Sequence, residues 1–247
     1  SEDGGIPLWT DAAISIWDIP NNPFGRMILL GFAAVVFAGE YQWRTWKNIV
    51  PRNRRAVLLL MKFIALGVFV VVAFVLMSII WSIGWGVLAQ IAGVDYGPAI
   101  TGQVLADFAQ DYTKQASLTF TSTMIAAGYA ALAGMVTRSI LGGVLVSFGI
   151  TLFEGGLILG LMLIGWLLDI PRIVHIYQYM PFYNMANVTS WINDHVALAM
   201  RPYGEDHEYS YIVFSDSLAF SLIVLAVWVI GLYALIAYLF QRQDITT

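Results

Sequence analysis

The chain has 247 residues, of which 59% are apolar and only 11% charged, with a formal net charge of −4 and no cysteine. Soluble domains carry about 25% charged residues, so this composition excludes an ordinary soluble globule and points to an integral membrane protein. The missing cysteine excludes structural disulfides, iron–sulfur clusters and thiolate zinc sites within the chain, and the acidic balance argues against a nucleic-acid partner.

Residues 1–23 are polar, contain Gly4-Gly5, Pro7, Pro20 and Pro23, and read as a connector. The apolar run Met27 to Gly39 reaches spanning length if Phe24 to Arg26 and Tyr41 to Trp43 sit in the headgroup layers, which predicts a membrane helix over 24–43. A basic connector, 44–56, follows. Residues 56–93 hold a single charge, Lys62, and predict a helix over 57–92. It is too long for one upright crossing, so it either tilts or emerges near Gly84 or Gly86. Residues 93–116 open with Gly93, Gly97, Pro98 and Gly102 and continue as an amphipathic helix, Val104 to Tyr112. The uncharged run 117–137 predicts a third span, Thr137-Arg138 a tight link, and 139–168, whose one charge is Glu154, a fourth. Residues 169–214 are long and aromatic, with Pro171, Pro181 and Pro202, and predict short helices lying on or dipping into the bilayer surface. The last span is 215–240. Each run supplies the roughly 20 residues needed to cross about 30 Å of hydrocarbon. The fold expected is all-α integral membrane, with about five spans in one transmembrane domain over 1–247 and no internal repeat.

Charge sets the orientation. Arg44, Lys47, Arg52, Arg54, Arg55, Lys62, Arg138 and Arg242 fall on one side, while only Arg26, Lys114, Arg172 and Arg201 fall on the other. Thirteen acidic residues, from Glu2 to Asp216, join the second group. The first side is therefore expected in the cytoplasm. The chain then starts outside with Ser1 and no signal peptide, from which a further membrane helix upstream is expected.

Half of the twelve basic residues lie in one stretch, 39–62. On one reading they only set topology and touch anionic lipid, at about 1 kcal/mol per near-surface base. The pattern holds more than charge, however. Trp43, Trp46 and Ile49-Val50 recur at helical spacing while Arg44, Lys47 and Asn48 face elsewhere, which describes a short interfacial amphipathic helix. Pro51 ends it. Such a helix is suited to receive a push from a cytoplasmic partner.

In this stretch the sequence resembles the permeases of ABC-2 type ABC transporters. Those proteins often carry a Glu at the cytoplasmic end of a membrane helix, then a Gly-Thr pair, an apolar stretch, Pro, Arg, and a Lys in the next helix. Glu40, Thr45, Ile49-Val50, Pro51, Arg54 or Arg55, and Lys62 fall in that order, with Arg44 where the family commonly has Gly. The C-terminal Phe240-Gln241-Arg242-Gln243-Asp244-Ile245 is also similar. The resemblance implies a six-helix permease bundle whose first helix precedes this sequence, in a bacterial or archaeal cell membrane. It also implies that residues 40–55 form a coupling helix. Glu40, Trp43, Arg44, Thr45, Lys47, Pro51, Arg54 and Arg55 would then contact a separate nucleotide-binding ATPase subunit, which carries ATP and Mg. A second permease copy or paralogue would pair beside the first, and substrate, most often exported, would move between the two.

No Walker motif, G-x-S-x-G elbow or H-E-x-x-H pair occurs, so no cofactor and no catalytic site are expected in this chain. His175, His195 and His207 all lie in the 169–214 loop, and Glu205-Asp206-His207-Glu208 lacks the rigid spacing of a metal site. Asn187-Val188-Thr189 fits a glycosylation acceptor. Glu154 stands alone inside a span and precedes Gly155-Gly156. A carboxylate at that depth is protonated, paired or turned to a watery cavity. It reads either as a substrate or gating contact or as a neutral partner of a neighbouring helix. Two rival functions stay open: a non-catalytic membrane anchor of a respiratory or oxygenase complex, and a secondary transporter.

Overall fold

A computed structural model describes residues 5–43, 55–199 and 214–242. The described chain is all-helical. Its helices are α1 (Trp9–Ser15), α2 (Pro23–Gln42), α3 (Arg55–Ala92), α4 (Gly102–Thr137), α5 (Ile140–Leu168), α6 (Pro181–Asp194) and α7 (Leu218–Arg242). Two 3-10 segments, Ile16–Asn21 and Pro171–Tyr179, precede α2 and α6. Five helices, α2, α3, α4, α5 and α7, are long and apolar enough to cross a bilayer.

Local sequence fixes where these helices begin. Asn22 accepts a hydrogen bond from the Gly25 N–H at 2.8 Å, and Pro23 occupies the first helical position of α2, where a missing N–H costs nothing. Thr101 caps α4 through the Val104 N–H, and Ser139 caps α5 through the Gly142 N–H. Between α4 and α5 a single residue, Arg138, turns the chain in the left-handed conformation (φ 52°).

Helices α2, α4 and α5 pack against one another, and α4 is the most enclosed of the spanning helices. Small side chains make that enclosure feasible. Ala126, Ala127, Ala130, Ala131 and Gly134 are buried along α4. A Cβ on Gly134 would stand 3.0 Å from the Ala38 Cβ on α2, and one on Gly143 would stand 3.1 Å from the Ala34 Cβ and 3.2 Å from the Gly134 Cα. Lipid tails are as apolar as the helices, so close backbone approach with its dispersion contacts, rather than hydrophobic burial, holds such a crossing together. Beside these three, α7 packs on α4 and α6, and α3 leans on α7 and on α1.

Two segments differ from the sequence reading. The amphipathic stretch at Val104 to Tyr112 and the span from 117 are one continuous helix, because Thr113 to Ala116 contain neither Gly nor Pro to break it. Residues 9–21 are folded onto the bundle rather than a bare connector. Trp17 is 1% exposed, with its ring centroid 5.0 Å from that of Phe74 and 5.9 Å from that of Tyr112. Trp9 donates from its backbone to Gly97 O and from its indole to Pro98 O, at 3.2 and 2.9 Å. Ser82 on α3 donates to Trp9 O. This platform braces the far end of α3, which at 38 residues is about 57 Å long, nearly twice the hydrocarbon thickness.

Candidate functional site

Among the described residues two concentrated polar arrangements stand out, one where α2, α3 and α7 meet beside the basic connector and one around Glu154 of α5.

At the basic end, α2 and α3 flank the connector. Glu40, in the last turn of α2, pairs with Lys62 of α3, and the Lys62 Nζ also donates to the Val36 carbonyl. Both side chains are largely buried, at 21% and 16% exposure. Phe37 and Phe63 pack against each other nearby, with centroids 4.4 Å apart and planes tilted by 41°, and the Lys62 Nζ lies 5.8 Å from the Phe37 ring centre. Arg55, the first residue of α3, donates to the carbonyls of Phe240 and Gln241 at 3.3 and 2.9 Å. These belong to the last turn of α7, where carbonyls lack helical partners and the dipole favours a cation. Trp43 turns its indole back over Gly39, where a Cβ would lie 2.8 Å from the ring, and remains 62% exposed. Of the residues expected to meet an ATPase subunit, Glu40, Trp43 and Arg55 are described: Glu40 bonds to Lys62, Arg55 to the end of α7, and Trp43 packs back on Gly39. Arg44, Thr45, Lys47, Pro51 and Arg54 lie outside the described residues, as does the interfacial helix expected beyond Trp43.

Between α2, α4, α5 and α6 lies a cavity of about 450 Å³. Glu154 borders it at 9% exposure. One carboxylate oxygen accepts from the Phe182 N–H at 3.0 Å, the other from the Tyr129 hydroxyl at 3.4 Å. The Phe182 N–H is free to donate because it sits in the first turn of α6, where backbone donors have no helical acceptor. A helix from the loop therefore reaches down to a carboxylate within a span. Burial first, and the Glu154 charge second, push the Tyr177 phenol in the adjoining 3-10 segment up to about 12. Arg26 borders the same cavity and donates to Ser122 Oγ at 2.9 Å. No ion pair joins Arg26 to Glu154, although both border the cavity.

Sequence reasoning singled out Glu154 but not Arg26. The signal was present, since Arg26 is the one base inside the first span. It was read as a headgroup residue because it stands so near that helix's start. Asn187 lies far from any surface role: it is fully buried, and its amide nitrogen donates to Asp216 O and Ser221 Oγ. In this fold it is closed to glycosylation. Among the described residues no group of three or more His, Asp or Glu side chains gathers in metal-binding proximity, and Glu205 to Glu208 lie outside them.

The fold and its five spanning helices define a multi-pass α-helical membrane protein. A scan of known protein families finds none that matches the chain, and searches of characterised proteins and of solved structures likewise find no match.

Proposed function

We propose that this chain is the membrane-spanning permease subunit of an ATP-driven transporter of ABC-2 type, working as an exporter with a separate nucleotide-binding subunit and a second permease. The basic end faces the cytoplasm, by the excess of Lys and Arg there. The observation that carries this reading is the linkage of helices around the basic connector. Glu40 and Lys62 tie α2 to α3 at its base, and Arg55 ties the start of α3 to the end of α7. A force applied to the connector is therefore delivered to three spanning helices at once. A loop that served only topology or lipid contact needs no such linkage. The order Glu40, Thr45, Ile49-Val50, Pro51, Arg54 or Arg55, and Lys62, similar to the family pattern, supports the same reading.

The test is purification of the native complex in mild detergent, with identification of associated chains and an ATPase assay. The expected result is a co-purifying subunit with a nucleotide-binding P-loop, whose turnover falls when Arg54 and Arg55 are both replaced by Glu. A haem- or metal-bearing partner without ATPase activity would overturn the proposal in favour of a membrane anchor.

A further inference from the structure

Arg26 and Glu154 present an unusual combination. Charged groups within a span are costly and normally pair with each other or with backbone. Here one guanidinium and one carboxyl group border a single cavity and make no direct bond to each other. The guanidinium has five N–H donors in a planar fork, and Ser122 accepts from only one of its nitrogens. Glu154 retains lone pairs beyond those used by Phe182 and Tyr129.

The cavity around them is large enough for a ligand, since small-molecule sites run from about 300 to 1,000 Å³. Its walls are mainly apolar, with Leu118 and Ile125 from α4, Leu152 from α5 and Met185 from α6. Asn21, Asn22 and Gln115 mark its rim on the acidic side of the bundle. An apolar chamber that holds a guanidinium and a carboxyl group apart, with a polar rim, matches a molecule that is itself amphipathic and carries both signs, whose ammonium would keep the carboxyl group ionised.

We infer that the cavity between α2, α4, α5 and α6 binds a zwitterionic amphiphile, its anionic group held by Arg26 and Ser122 and its ammonium group by Glu154. The planar guanidinium suits a phosphate or carboxylate, which it can engage bidentately. The carboxylate of Glu154 accepts from the ammonium while the Tyr129 hydroxyl and the Phe182 N–H hold its orientation. The acyl part lies along the α4–α5 wall. The inference concerns this chain alone and does not rest on the ATP-driven reading.

The probe is lysophosphatidylethanolamine, which carries a phosphate, a primary ammonium and one chain. Its binding to the full chain in maltoside detergent is followed by titration with native mass spectrometry. Two relatives of the probe separate the contributions: the N-acetylated lipid, which has no ammonium, and glycerophosphoethanolamine, which has no chain. Saturable binding of the parent probe is expected, weakened about tenfold or more by N-acetylation, by Glu154→Gln and by Arg26→Gln, the loss that goes with a charged hydrogen bond. Ala186→Leu, which narrows the cavity without touching either charge, is expected to weaken it as well, and it keeps the test open if a charge variant fails to fold. Binding of glycerophosphoethanolamine as tight as that of the parent would overturn the amphiphile, since the acyl chain would then contribute nothing and the two polar groups would serve a soluble zwitterion. Equal binding of the N-acetylated probe, or affinity unchanged in the folded variants, would overturn the inference.

Discussion

The Lys62 ammonium on α3 bonds at once to the Glu40 carboxylate and to the Val36 carbonyl on α2, so one side chain joins two helices separated by a basic connector. Removing the cation leaves a mostly buried carboxylate with no partner from α3. Lys62→Met is expected to destabilise the folded protein by about 2 kcal/mol, a figure reduced by the residual solvent access of both groups. Glu40→Gln should cost less, because an amide still accepts from Lys62. The exchange Glu40→Lys with Lys62→Glu should recover part of the loss. Thermal unfolding in detergent measures all three. A Lys62→Met protein that melts with the wild type would show that the pair contributes nothing.

Arg55 is expected to act on the end of α7 rather than on global stability. Its bonds to the Phe240 and Gln241 carbonyls satisfy helix-terminal acceptors in a partly exposed position, an effect of about 0.5–1 kcal/mol. Arg55→Gln should speed backbone hydrogen exchange in the last turn of α7, with little change at Leu225 or Leu232 in its middle. Exchange accelerated evenly along α7 would mean that the contact anchors the helix as a whole.

The spans were legible in the sequence because the bilayer imposes a length and forbids charge, so α2, α3, α5 and α7 fall within three residues of their expected limits. The start of α4 was not. The hydropathy signal ends where Asp107, Asp111 and Lys114 enter, while the backbone hydrogen bonding that defines a helix continues to Gly102. The folding of residues 9–21 was hidden for a related reason: Trp17 finds Phe74 and Tyr112 only after α3 and α4 have been brought together. At the candidate site, Glu154 announced itself as an isolated charge in an apolar run. Arg26 did not, since a base three residues from a helix start looks like an ordinary headgroup contact. Its bond to Ser122 spans 96 positions of sequence.

Close packing at the basic end makes a prediction that separates crowding from mere hydrophobicity. A side chain at Gly143 meets Ala34 and the backbone of Gly134 together, and neither can withdraw. Gly143→Leu should therefore cost about 1–3 kcal/mol despite its added apolar surface. Gly31→Ala, on the same α2 but with open space where the new methyl would stand, should be neutral or slightly stabilising, because Ala favours the helix. Melting temperatures in one detergent provide the comparison. Equal effects would show that α2, α4 and α5 are not in the intimate contact described.

The last prediction concerns the fastening of α6. Asn187 uses its whole amide: the nitrogen donates to Asp216 O at 2.9 Å and to Ser221 Oγ at 2.8 Å, and the oxygen accepts from the Leu198 N–H at 2.7 Å. Trp191 adds a bond to the same Asp216 carbonyl at 3.0 Å. These bonds join α6, the chain that follows it and the start of α7, and α6 in turn carries the Phe182 N–H to Glu154. Asn187→Ala leaves buried polar groups without partners and should cost about 2–3 kcal/mol. Asn187→Asp keeps the bond to Leu198 but loses both donated ones and turns a carboxylate towards the Asp216 carbonyl, so it should cost at least as much. Because α6 closes one side of the cavity, both variants should also weaken any ligand held there. Asn187→Ser, which retains one short donor, should fall between them and the wild type. Thermal melting, with hydrogen exchange followed over 181–194, distinguishes this fastening from a general loss of packing. If exchange in α6 stays at the wild-type rate in the Ala and Asp variants, the amide is not what holds that helix in place.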